Sequence, residues 1–149
     1  MPDGNYKCGS CAQCSYTHKC KSFNHPHTGK LTSIRGAITC STTHVIYLIR
    51  CPCGLAYVGK TTRAIQTRIS EHRSTIRTGD ERSPVAAHFK QAGHNVSALR
   101  YIGVERVNKP PRGGDQDKRL LQRETFWIHY LNTMSPHGLN EEFDIKPFL

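Results

Sequence analysis

Five side chains have types and spacings that could do chemistry together. Tyr47, in Val45-Ile46-Tyr47, and Tyr57, in Tyr57-Val58-Gly59-Lys60, stand ten residues apart. Arg68 and His72 follow, one helical turn from each other, and Glu124 interrupts an apolar stripe far downstream. A phenol can handle a proton, a guanidinium can hold a phosphate through forked donors, and a carboxylate can hold a divalent cation. Those are the parts needed to hydrolyse a phosphodiester.

Each part also has a plainer reading. Glu124 is flanked by Leu120, Leu121, Trp127, Ile128 and Leu131 at helical spacing, so it faces inward or lines a pocket. Burying a lone carboxylate costs several kcal/mol, which a bound cation would offset. Pairing at the stripe edge with Arg68 or Arg123 would offset it too. His72 lies between Ile69 and Ile76, where a histidine can simply be a satisfied core residue. Strand tyrosines pack cores. Lys60, Arg63, Arg68 and Arg73 form the strongest basic patch and are candidates for DNA contact with Arg77 and Arg112. For Arg73 and Arg77 a solvated helix face explains the charge equally well. Arg68 borders the apolar stripe and fits that explanation less.

The elements that must position these residues can be read from periodicity. Val45 to Ile49 is a continuous apolar run of strand length, suited to a central strand buried on both faces. Cys51-Pro52-Cys53-Gly54 makes a turn and Leu55 to Gly59 returns, forming a hairpin. Ile65, Ile69, His72 and Ile76 predict a helix ending near Gly79. Ser83-Pro84 opens a short helix with Val85, Ala86 and Phe89 inward, closed by Gly93. Leu99 to Val107 reads as a third strand, Lys109 to Gly114 as a Pro/Gly/basic loop, and Asp115 to Thr133 as the longest helix. The expected fold is α+β: a small three-stranded antiparallel sheet flanked by helices. Residues 43–149 would form this domain and residues 1–42 a Cys-rich extension. The extension is too polar for a core of its own, so it either binds metal or drapes over the domain. Within it His25-Pro26-His27-Thr28-Gly29 reads as a turn.

The chain has 149 residues and 21 Lys plus Arg against 11 Asp plus Glu, a formal charge of +10. That surplus in one domain points to nucleic acid or another anionic surface, with solubility as the plainer cause. No apolar run approaches the ~20 residues of a membrane helix, and there is no signal-peptide core. Neither a membrane nor a small-molecule cofactor is expected. Seven cysteines and nine histidines include gaps of two residues between Cys8, Cys11 and Cys14. This is zinc-ligand spacing and implies a reducing, intracellular compartment, nuclear by expectation. Cys51 and Cys53 with His88 and His94 complete a closed tetrahedral set that would staple the hairpin to the short helix. A second zinc could sit among Cys8, Cys11, Cys14 and Cys40, with Cys20, His18 and His25 competing for the last positions.

With these residues in place, the chain resembles the GIY-YIG endonucleases. Val45-Ile46-Tyr47 stands for the first signature, with Val45 replacing its glycine, and Tyr57-Val58-Gly59 for the second. Arg68 and His72 match the family's helix pair, Glu124 its metal-binding carboxylate, Asn140 its late asparagine and Lys60 a frequent functional lysine. The Cys51-x-Cys53 insertion, His88-x5-His94, the N-terminal cysteines, Thr39-Cys40 and Pro136-His137-Gly138-Leu139-Asn140 resemble the endonuclease domain of Penelope-like retroelements. Repair and junction-resolving relatives lack that turn and histidine pair.

The resemblance implies a DNA nickase using one Mg²⁺ or Mn²⁺ on Glu124 and no covalent intermediate. Arg68 would stabilise the transition state, one tyrosine would take the proton from water, and His72 would polarise it or relay. Nearby cations are expected to bring a phenol toward neutrality. Tyr57 is favoured for that role because Lys60 lies nearest it. The nick would expose a 3′-hydroxyl for a reverse transcriptase acting in the same polyprotein or in trans, the chain being an excised domain or stand-alone derivative. The contrasting expectation is an inactive zinc module, derived from such a nuclease, that binds DNA or RNA.

Overall fold

The computed structural model describes residues 1–142; positions 143–149 of the expected 43–149 unit lie outside the described residues. Four short strands come first: β1 (Gly4–Asn5), β2 (Ser22–Asn24), β3 (Leu31–Ser33) and β4 (Ala37–Ile38). Then follow β5 (Val45–Arg50), β6 (Ala56–Thr61), α1 (Ile65–Thr78), α2 (Pro84–Ala92), β7 (Arg100–Arg106) and α3 (Gln116–Leu131). The fold is α+β, with β6, β5 and β7 side by side in one antiparallel sheet.

The central strand is the apolar run. Val45, Ile46, Tyr47, Leu48 and Ile49 are all buried because both neighbours and both faces are occupied. Side chains alternate across the sheet. Tyr47, Ile49, Tyr57 and Gly59 therefore share one face, and Ile46, Leu48, Val58 and Lys60 the other. His72 of α1 meets the tyrosine face, while Trp127 of α3 reaches Glu105, the cross-strand partner of Ile46. The helices end where their chemistry says they should. Ser83 accepts from the Ala86 amide ahead of Pro84, and Gly79 and Gly93 take left-handed conformations at φ 68° and 71°. α3 starts behind Asp115, which accepts from the Lys118 amide. It stops at Leu131, short of Thr133, because Asn132 adopts the left-handed conformation.

Residues 1–42 contain pairings that periodicity does not reveal. β1 runs parallel to β4, and β2 and β3 form a hairpin across the expected turn at 25–29. Phe23, Ile34 and Ile38 join the same hydrophobic core as the sheet and helices, with Phe23 6.2 Å from Trp127 between ring centroids. The segment also covers the outer edge of β7. Arg35 exchanges backbone hydrogen bonds with Val104 and Arg106, and Asn5 Oδ1 accepts from the Gly103 amide. On the opposite edge of the sheet, Asn140 Oδ1 accepts from the Val58 amide and its Nδ2 donates to the Val58 carbonyl. The β7 edge is thus closed by backbone with one asparagine acceptor, and on β6 the Asn140 amide stands in for backbone.

Candidate active site and metal centres

The two signature tyrosines converge on His72. Tyr47 is fully buried and its Oη lies 2.7 Å from His72 Nε2. Both phenol rings stand edge-on to the imidazole, each 5.7 Å away between centroids. Tyr57 keeps 8% of its surface exposed. His72 Nδ1 is buried and forms no hydrogen bond within the described residues. Burial, helped by the Arg68 charge, drops His72 to about 3, so the ring is neutral at physiological pH.

Tyr47 departs from expectation. Burial drives its pKa well above that of a free phenol, Arg68 opposes this, and the Glu124 charge adds to it. The expectation that nearby cations bring a phenol toward neutrality fails at Tyr47 because desolvation outweighs one guanidinium. Tyr47 is a neutral hydrogen-bonding group. The Glu124 carboxylate, buried within the α3 stripe, is thus one of the charges acting on that phenol. Arg123, one of its alternative partners, instead donates from Nε to Glu105 Oε1 at 2.8 Å.

The remaining expected residues divide. Arg68 is half-buried, and its charge is felt by both Tyr47 and Tyr57. Lys60 is exposed, but strand alternation starts it from the face opposite Tyr57, so its nearness in sequence is no reason to prefer Tyr57. Asn140 is fully buried against Val58 and Thr133, holding the loop after α3 onto β6. Arg63, Arg77 and Arg112 are exposed, as DNA contact requires. Arg73 is not free in that way. It donates to Gln13 Oε1 at 3.1 Å and lies over the Tyr16 ring at 4.2 Å, tying α1 to the N-terminal segment.

Two metal-ligand sets are assembled. Cys51, Cys53, His88 and His94 bring their ligand atoms within 4.8 Å of one another, as do Cys8, Cys11, Cys14 and Cys40. For a tetrahedral zinc with bonds near 2.3 Å to sulfur and 2.05 Å to nitrogen, ligand atoms should be about 3.5–3.8 Å apart. The observed Cys51–His88 and Cys53–His88 spacings are 3.3 and 3.1 Å, and Cys8–Cys14, Cys11–Cys14 and Cys14–Cys40 are 3.4, 3.7 and 3.5 Å. His94 Nε2 is buried without a hydrogen bond among the described residues. Both sets could hold zinc. Of the competing ligands, neither Cys20 nor His18 is in the assembled cluster, and His25 Nε2 meets the Tyr130 carbonyl at 2.8 Å.

The GIY-YIG catalytic domain model matches residues 43–137. The chain belongs to the GIY-YIG family. Among curated proteins and solved structures it has no significant match. Membership implies nuclease chemistry, with DNA as substrate and a divalent metal as helper. It also explains the glycine of the second signature. A Cβ on Gly59 would lie 2.3 Å from Tyr47 Cζ and 2.4 Å from its hydroxyl, so the first signature's phenol rests directly on that glycine. Val45, which replaces the glycine of the first signature, is simply buried core.

Two carboxylates escaped sequence reasoning, one in the basic patch beside Arg68 and one between β7 and α3. Glu71 binds both Arg63 and Arg68, and its i,i+3 position relative to Arg68 was the available signal. Glu105 takes hydrogen bonds from Arg123 and Trp127, each at 2.8 Å. Arg123 and Trp127 sit four apart on α3, but nothing local shows that the third strand brings Glu105 to them.

Proposed function

We propose that this chain is a metal-dependent DNA endonuclease that nicks DNA to supply a 3′-hydroxyl for reverse transcription of a Penelope-like retroelement, in the nucleus. The observation that supports this most is the convergence of Tyr47, Tyr57, His72 and Arg68, with the Glu124 charge acting on the same phenol. The Cys51–Cys53–His88–His94 staple and the N-terminal thiols support the retroelement affinity, and a reverse transcriptase in the same polyprotein or in trans is the partner.

In this reading water attacks phosphorus, the bond to O3′ breaks, and the leaving oxygen takes a proton from solvent to become the 3′-hydroxyl, leaving a 5′-phosphate. Glu124, a buried carboxylate whose charge acts on Tyr47, fits a single Mg²⁺ or Mn²⁺, which would act as a Lewis acid on the phosphate. Arg68 faces the charge that develops on the phosphoryl oxygens. Tyr47, held neutral and bonded to His72, orients rather than accepts. Tyr57, on the same imidazole and 8% exposed, takes one proton of the attacking water in its phenolate form, and neutral His72 positions the pair of rings.

Supercoiled plasmid incubated with Mn²⁺, with and without chelator, tests the reading. Arg68→Ala and Glu124→Gln should each lower nicking by roughly 10²–10³-fold while DNA binding persists. Undiminished nicking by purified Glu124→Gln would remove the metal assignment, and an inert wild-type protein would remove the activity.

A further inference from the structure

Glu71 stands at the centre of the basic patch. Its carboxylate accepts from Arg63 Nη1 and Nη2 at 2.7 and 2.6 Å, one oxygen per donor, and Arg68 Nη1 lies 3.3 Å from Oε1. The arrangement is partly open to solvent, with side-chain exposures of 55% for Arg63, 30% for Arg68 and 41% for Glu71. Arg68 also faces Tyr47 and Tyr57, so the carboxylate sits at the entrance to the tyrosine site. A two-oxygen anion bridging two guanidiniums has the geometry of a bound phosphodiester. Ordinary helix stabilisation does not account for this placement, because Arg63 precedes α1 by two residues and folds back over its second turn.

We propose that Glu71 is an internal counter-anion in the seat of a DNA backbone phosphate, holding Arg63 and Arg68 as a clamp until the duplex displaces it. This rests on the nuclease reading of the site and adds a positioning residue to it. Displacement has measurable consequences. A unit negative charge about 5 Å from the entering phosphate, in a water-like dielectric, weakens binding roughly 4-fold. Two guanidiniums with a carboxylate beside them present one net positive charge, so they release about one DNA-bound cation where a free pair would release two. Neutralising Glu71 should therefore steepen the slope of log affinity against log salt by about 0.9, the value per additional phosphate neutralised.

The measurement is fluorescence-anisotropy binding of a short labelled duplex to the full chain, with chelator and across a salt series. Glu71→Gln should bind about 4-fold more tightly with a steeper slope, and adding Arg63→Ala should return the slope to that of wild type. Weaker binding, or an unchanged slope, by folded Glu71→Gln would overturn the proposal. A purely structural Glu71 would lower thermal stability without moving the slope. Binding needs no cleavage, so the two readings fail separately. Wild-type protein that binds but never nicks sinks the endonuclease alone, and a nicking wild type with an indifferent Glu71→Gln sinks the clamp alone.

Discussion

Residues 1–42 and 43–142 are built by different means. The second region is organised by backbone pairing of long neighbours, β5 against β6 and β7, and by helices whose apolar stripes cover the sheet. The first has only strands of two or three residues, and side chains do much of the holding. Asn5 reaches β7, His25 and His27 reach the carbonyls of Tyr130 and Asn132 at the end of α3, and Arg73 and Tyr16 join the segment to α1. Within it the thiols of Cys8, Cys11 and Cys14 gather on Cys40. The lesson is that a segment too polar for its own core can still be integral, by lending a few apolar residues to a neighbour's core.

Zinc offers the strongest way to separate the regions. Cys51→Ser breaks the staple between the β5–β6 turn and α2, and Cys14→Ser breaks the N-terminal set. Each should remove one equivalent of bound zinc, and Cys51→Ser should cost the catalytic half several kcal/mol of stability. Unchanged zinc content in either variant would eliminate that centre. Next in size, Phe23→Ala deletes a buried ring packed on Trp127 and should cost about 3 kcal/mol. The loss should appear in one cooperative unfolding transition. A transition of residues 43–142 that ignores Phe23→Ala would mean the two regions are independent after all.

Acid provides a smaller and sharper probe of the catalytic half. His72 is depressed to about 3 by burial, below its value of 6.5 when unfolded. Its contribution is therefore complete above pH 6.5 and is lost as pH falls toward 3. At pH 5.5 the loss should be about 1.4 kcal/mol relative to pH 8. Because zinc ligands also titrate, the quantity to measure is the difference in slope between wild type and His72→Gln by denaturant unfolding. Identical slopes would mean that His72 is solvated rather than sealed beneath Tyr47.

Much of the catalytic half is legible in the chain because its signals are local. Val45–Ile49 announces a buried strand, Ser83-Pro84 and Gly93 bracket α2, and Asp115 caps α3, each through chemistry within a few residues. The zinc pairs follow from short Cys and His spacings. Other features depend on partners far along the chain. The covering of β7 by Asn5, the Glu105 pairing with Arg123 and Trp127, and the commitment of Arg73 to Gln13 and Tyr16 join residues 18 to 98 positions apart.

Sequence alone determined the residue types of the candidate site, the strand–helix order and the metal-ligand spacings, since each is a property of short stretches obeying period 2, period 3.6 or ligand geometry. Only the tertiary structure decided that Tyr47 is sealed and neutral and that Glu71 bridges two arginines. The physical reason is that desolvation and charge pairing are set by what surrounds a group in space.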